Sequence, residues 1–475
     1  MSLNVGHFPR AELAVMNDIT TAFDPAAFAI NASGKATKVR RRKALLDKET
    51  TSTNAPRLVA SDHNDEAENG PHVLTSQITI LDQDAWDSDN RVAASWDWNK
   101  VVRADYDDKD IFKSDPLWKP YFHETGIFWV CRSDYAQEVI DNYKALGRQA
   151  DLQAVSIEEA KKLFGGLFED ANYDGAKEVL VNKTSGWAQA GDSLRAITKW
   201  SIENGVKYIT QKAESLAFDN SGTCTGVKTE QGNTISASHV ILSTGAYTAK
   251  LLEQAAKASG NTNLRAGSRI VAGGITTGMT TLDDKSYKRF ANMPVGVQGY
   301  TAAQGPFIGS LPPTKDRELK WWGEKIFKNT HEVLPGRFVS APPSGKDYNH
   351  QWNVPGPLKQ DIDHANHVFY GKNGATWKME KHRICWDAFT TSSDFIISPH
   401  AGAKGLYVAT CGSFHGYKFF PVLGKYVIQM LEDDLTPELK EKWAWDRERP
   451  APSLNPDWPR WEMNDLLDQW PKAKL

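Results

Sequence analysis

Three short apolar runs constrain the fold of this chain more than anything else in it. They are Ile78–Asp82 (ITILD), His239–Gly245 (HVILSTG) and Leu406–Thr410 (LYVAT). Each has strand length, and each ends at an acid, a glycine turn or a glycine-containing loop. Runs that stay apolar through both alternations suit strands covered on two faces. Helical stretches lie between them. Ser156 and Glu159 have the capping-box spacing and predict a helix that ends near Gly165. Asp192 is expected to cap a helix reaching about Asn204, with Gly205 as its stop and Val206–Thr210 as the next strand. Strands separated by helices predict a parallel sheet covered on both faces, in the α/β class. Residues 270–380 differ. They are rich in Gly, Pro and aromatics, with short strand-like runs, and predict a separate, mostly antiparallel sheet. No internal repeat is present.

At 475 residues the chain exceeds one typical core, so two domains, possibly interleaved, are expected. A formal charge of -3 gives no argument for nucleic acid or an anionic membrane surface. No apolar run is long enough to span a bilayer. Glu12, Asp18 and Asp24 interrupt any signal-peptide pattern. The cysteines, Cys131, Cys224, Cys385 and Cys411, form no CxxC and no metal-ligand spacing, so reduced thiols and no metal site are expected. Residues 1–70 hold a basic cluster, Lys38 and Arg40–Lys43, followed by a polar tract, and are expected to form a disordered arm. The chain ends Ala473-Lys474-Leu475, a small-Lys-Leu tripeptide of the kind read by the peroxisomal import receptor.

Residues 383–424 concentrate the chemistry. Cys385 stands beside Trp386. After the run ending at Thr410 comes a loop, Gly412–Lys418, that carries His415 and Lys418. Pro421 then begins a helix. A soft nucleophile, flexible backbone amides, a fixed cation and a positive helix end suit the edge of an anionic or electron-rich cofactor. Asp82 reads either as an ordinary strand-end acid or as the ribose-binding acid of a dinucleotide fold. Its usual companion, GxGxxG, is missing: before residue 82 the only glycines are Gly6, Gly34 and Gly70.

Eight markers then follow in order: ITILD, DWNKVVRADY (97–106), WKPYFHETG (118–126), SGWAQAGDSL (185–194), ILSTGAY (241–247), ELKWWGEK (318–325), RICWDA and GSFHGYKFFPVLG. In these, from about residue 77 onward, the chain resembles the FAD-dependent amine oxidases of the monomeric sarcosine oxidase and fructosyl amino acid oxidase (amadoriase) group, including fungal saccharopine and pipecolate oxidase-like members. The resemblance implies an FAD-binding, Rossmann-like domain of the glutathione-reductase type. That domain would comprise residues 71–115, 170–270 and 381–440, with an α+β substrate domain over 116–169 and 271–380 and a tail over 441–475. Without GxGxxG the cofactor domain is expected to be incomplete and its sheet to lack a central strand.

The resemblance also implies roles. Cys385 would bind the flavin covalently, with His382 and Arg383 lowering its pKa. Lys320 would serve the reaction with oxygen, and Arg103 and Lys418 would hold a substrate carboxylate. Arg103 points to a simple N-substituted or cyclic amino acid; Glu324 matches an amadoriase position that contacts sugar hydroxyls and points the other way, and it would equally suit a polar or cationic side arm. Arg460 is not carried over. Asp82, Thr244 and Gly245 would lie near the nucleotide, and Gly412, Ser413, His415 and Gly416 near the flavin's pyrimidine edge. The implied reaction takes hydride from the carbon next to a secondary amine, and oxygen becomes hydrogen peroxide in a monomeric enzyme. Two alternatives stay open: a remnant that binds FAD poorly or not at all, and a flavin dehydrogenase with another acceptor.

Overall fold

The computed structural model describes residues 30–31, 75–89, 93–102, 115–145, 151–299, 307–343, 351–455 and 457–468. Arg103, the basic cluster and the C-terminal tripeptide lie outside these residues. The first apolar run forms β1 (Ile78–Asp82), which lies parallel to β2 (Lys207–Thr210), with Asp82 opposite Thr210. Helix α1 (Ala190–Glu203) precedes β2, and Gly205, at φ +100°, ends it. Asp192 does not cap this helix. It sits inside the first turn and accepts from Gln189 Nε2 at 3.2 Å and Arg195 Nη1 at 3.1 Å. The helix starts earlier because Gly191 N donates to Asp97 O at 2.8 Å, a contact from elsewhere in the fold that no local pattern reveals.

The capping box at Ser156 and Glu159 forms, but its helix covers only Ile157–Ala160. Positive φ at Phe164, Gly165 and Gly166 breaks the continuation into a separate short turn.

The second run forms β3 (Val240–Leu242), followed by a turn at Thr244 and Gly245 (φ +49°) and then α2 (Thr248–Ser259). The chain next enters a large sheet through β4 (Val271–Thr281), flanked on its two sides by β5 (Glu318–Lys328) and β6 (Lys381–Phe389), both antiparallel to it. The sheet continues from β5 through Ile308–Leu311, Val295–Gln298, Ile127–Cys131, Glu178–Asn182 and Leu152–Val155, and is mostly antiparallel. Two of its strands, Glu178–Asn182 and β6, fall in segments that the sequence reading groups with the cofactor-binding part. The third run forms β7 (Leu406–Thr410), which returns to lie parallel to β3, with Val240 opposite Leu406.

Helix α3 (Gly356–Gly374) covers one face of the large sheet with Leu358, Ile362, Ala365, Val368 and Phe369 at helical spacing. Gly278 on β4 admits this helix; a Cβ there would lie 2.6 Å from Ile362 Cγ2. Trp321 points to this side and is fully buried, edge-on to Tyr370 with centroids 6.0 Å apart. Trp321→Ala is expected to cost about 3–5 kcal/mol, read as a lower denaturation midpoint at unchanged slope.

The half-sheet of β1 and β2 and the half-sheet of β3 and β7 do not join among the described residues. Among the described residues, Ile30–Asn31 pairs antiparallel with β1 and comes near β3, so two residues stand where a full central strand would complete the sheet.

Candidate active site

Sheet register brings the two principal candidates to one face. Cys385 pairs with Ile275, and Lys320 pairs with Met279, on opposite sides of β4. Ile275 and Met279 are four apart, so the strand period of two keeps both partners on the same face, away from α3. The segment Ala93–Val102 crosses that face. Arg383 anchors it by donating to Trp96 O and, at 2.8 Å, to Ala93 O. Asn99 Nδ2 donates to Pro312 O at 3.2 Å.

Asp97 on this segment is almost fully buried and faces three cations. Lys320 Nζ lies 2.6 Å from its Oδ1, Lys100 Nζ 3.0 Å from its Oδ2, and Arg383 Nη1 3.9 Å from its Oδ1. Lys320 also donates to Asn99 O at 3.0 Å, and Lys100 Nζ stands 3.5 Å from Cys385 Sγ. Burial alone would push the Asp97 carboxyl up, but the three cations outweigh it and hold it well below the usual carboxylate range. Burial pulls the Lys320 ammonium down to about 8, against the opposing pull of Asp97 and with Lys100 adding repulsion. Burial also acts against Lys100, but the thiol and Asp97 beside it raise it above an ordinary ammonium.

His382 does not contribute to this cluster. It occupies the alternate face of β6, opposite Gly278, and feels Lys359 and Asp363 of α3. The cation beside the thiol is Lys100, with Arg383 behind it.

A cavity of about 440 Å³ opens next to the cluster. It lies at the carboxyl ends of β1 and β3, where α/β sheets take their ligands. Asp82, Thr244, Gly245, Gly412 and Gly416 line it, as do Lys100, Trp386 and Asp387. Cys385 sits one residue behind this lining, its thiol against Ala94 O at 3.6 Å. Trp386 Nε1 is buried and has no hydrogen-bond partner among the described residues.

The loop after β7 holds Cys411, Ser413 and Phe414 at φ of 71°, 46° and 64°, a left-handed run without glycine at those positions. Asp387 secures it by accepting from Phe414 N at 2.8 Å, and burial raises the Asp387 carboxyl above its ordinary value. Ser413 is buried in this loop. His415 faces Asp457 at 3.7 Å, outside the cavity lining. Lys418 is buried in the short turn Gly416–Phe419 that leads into α4 (Phe420–Leu431), with its Nζ 5.1 Å from the Phe419 ring centre. Pro421 occupies the first turn of α4.

Glu324 is exposed and does not line the cavity. It stands where β5 bulges between Trp322 and Ile326, and Asp361 accepts from Lys325 N at 3.1 Å inside that bulge. Sequence reasoning missed Asp97, Lys100 and Asp387. The first two stood in the DWNK marker at a spacing of three, and Asp387 two residues after Cys385. All four cysteines are free and buried. Among the described residues no cluster of His, Cys, Asp and Glu is arranged to bind a metal, and no helix is long and apolar enough to cross a membrane.

Comparison with known proteins places this fold. Residues 41–430 match the family model described as FAD dependent oxidoreductase (DAO). L-saccharopine oxidase of Schizosaccharomyces pombe is 25% identical over 79% of this chain and 89% of its own. Amino acid oxidase imqH of Aspergillus flavus is 44% identical over 61 residues, 13% of each chain. A thermally stable mutant of fructosyl peptide oxidase superposes with a TM-score of 0.70 at 21% identity, covering 85% of this chain and 93% of that one. Fructosamine oxidase (Amadoriase II) of Aspergillus fumigatus gives 0.66 at 20% identity, covering 82% and 88%. With the fold shared across nearly the whole of these chains and the family model spanning most of this sequence, the chain belongs to the FAD dependent oxidoreductase (DAO) family.

Proposed function

We propose that this chain is an oxidase of an amino-acid-like secondary amine, N-substituted or cyclic, that passes its electrons to dioxygen and releases hydrogen peroxide. The observation that carries this reading is the buried ammonium of Lys320, linked through Asp97 and Lys100 to the Cys385 thiol beside a cavity at the strand ends. The residues present fit FAD: the cavity has the expected place in the sheet, with the acid Asp82 at a strand end and the cation Lys100 and the glycines Gly245, Gly412 and Gly416 in its wall. They do not supply the usual pyrophosphate turn, since no GxGxxG occurs in the sequence.

FAD, when bound, accepts hydride from the carbon beside the amine and returns the electrons to oxygen. The chain's own groups would do the rest. Asp82 would hold the ribose, and Thr244 and Gly245 would sit beside the nucleotide. The loop of Gly412, Ser413, His415 and Gly416 would offer amides to the ring edge. Cys385, with Lys100 Nζ at 3.5 Å from its Sγ, would tether the ring. Lys418, with Arg103, would orient the substrate carboxylate. Glu324 would meet a polar or cationic side arm. Lys320 would place positive charge where oxygen gains electrons. The chain would act alone, and Ala473–Leu475 would address it to peroxisomes through the import receptor.

The missing GxGxxG favours a second reading, a chain of this fold that binds FAD weakly. The absorption spectrum of the purified protein separates the two. A flavin spectrum together with peroxide from sarcosine, pipecolate, saccharopine or a fructosyl amino acid supports the oxidase. A colourless protein that stays colourless after incubation with FAD supports the second reading. The oxygen step should also depend on pH. With Lys320 at about 8, the cation is present below that pH and lost above it, so the rate with oxygen is expected to fall as pH rises through 8. Stopped-flow reoxidation across that range checks it.

A further inference from the structure

We propose that Asp97 is the positioning residue for Lys320: one carboxylate oxygen fixes the ammonium and keeps it charged, while the other holds Lys100 against Cys385. This rests on the oxidase reading, in which Lys320 serves oxygen. The charge count motivates it. Lys320, Lys100 and Arg383 converge on one carboxylate, and all four groups are wholly or largely removed from water. Unpaired, an ammonium in such surroundings sheds its proton rather than stay charged. Asp97 is the only carboxylate within 4 Å of Lys320 Nζ among the described residues. The other groups facing that nitrogen are Lys100 and Trp98 of the crossing segment, the Asn99 carbonyl, and Arg383 and Cys385 of β6.

Asp97 also has a plain structural part. Its carbonyl accepts from Gly191 N at 2.8 Å, and its Oδ1 accepts from Trp98 N at 2.9 Å. The test must separate the two roles. Asp97→Asn keeps the backbone contact and an acceptor oxygen while removing the charge. The Lys320 ammonium then loses its counter-ion, and its pKa falls below that of the wild type.

Two measurements follow. In the flavin-loaded enzyme, the pH midpoint of the oxygen reaction is expected to move down by about one unit or more, which at pH 8 leaves at least roughly fivefold less protonated Lys320. Asp97→Glu is expected to restore most of this. Anaerobic reduction by the amine is expected to change far less.

The second measurement needs no turnover. Lys320 carries a folded pKa below its unfolded value, so the unfolded chain binds more protons in between and stability rises with pH across that window. In Asp97→Asn the window opens at lower pH. The gap in melting temperature between wild type and Asp97→Asn should therefore be widest near about pH 6 and narrow toward pH 8. In a Lys320→Met background the gap should not vary over this range. A gap independent of pH in both backgrounds, or an unmoved midpoint for the oxygen reaction, overturns the proposal. A wild type that does not react with oxygen overturns the oxidase reading instead, and the melting comparison still decides the part played by Asp97.

Discussion

Lys320→Met is expected to slow reoxidation of the reduced enzyme by oxygen about 10²–10³-fold, equivalent to roughly 3–4 kcal/mol of lost charge stabilisation. The substitution should not unfold the site. Methionine is close to lysine in length and is at home in a buried position. Asp97 would also keep Lys100 at 3.0 Å and so would not be left unpaired. Reduction by the amine under anaerobic conditions should change little, because Lys320 touches Asp97 and Asn99 rather than the groups assigned to the substrate carboxylate. Stopped-flow measurement of the two half-reactions separates the effects. Equal losses in both would remove Lys320 from the oxygen step. The decline of the oxygen rate above pH 8 should vanish in this variant, since the group that titrates there is gone.

Cys385→Ala is expected to abolish retention of flavin by the acid-denatured polypeptide. The wild-type precipitate should stay yellow and the variant's should be white, with all flavin in the supernatant. Cys385 is the thiol that stands against Lys100; the other described cysteines are buried in apolar surroundings that push their thiols up, Cys131 to about 12 and Cys224 to about 11, and Cys411 higher still. Cys385 is therefore the cysteine that the fold sets against an ammonium next to the cavity. A wild-type precipitate that is already white would show that any bound flavin is held by packing alone. Removing one sulfur from a buried wall should cost stability of a smaller order than loss of a whole side chain such as Trp321.

Both predictions start from residues that stood out in the sequence. ELKWW placed a lysine between apolar neighbours, and RICWDA placed a cysteine beside a tryptophan. The burial of Lys320 was legible because apolar flanks are a local property; the pairing of both strands with β4 was not. The runs ITILD, HVILSTG and LYVAT were legible as strands from their length and bounding residues, but the structure fully buries only Ile78 of the first and alternate residues of the other two. The end of α1 at Gly205 also followed from one residue's tolerance of positive φ.

Other features were set at long range. The start of α1 depends on a carbonyl at Asp97, far back along the chain. The partner of the thiol turned out to be Lys100 rather than His382, because the period of two sends His382 to the helix-covered face. The bulge that exposes Glu324 is held by Asp361 of α3 and has no signature in ELKWWGEK itself.

The sequence by itself therefore determined that ITILD, Val206–Thr210, HVILSTG and LYVAT form strands of an α/β fold, and its resemblance to a flavoprotein family marked which lysine and cysteine deserved a role. Only the tertiary structure decided that Asp97, Lys100, Arg383, Lys320 and Cys385 form one buried charge cluster. Local patterning is written in side-chain period and backbone preference, whereas this charge cluster is a balance of burial against Coulomb attraction between the Asp97–Lys100 segment and groups more than two hundred residues further on. That balance exists only once the sheet has brought them together.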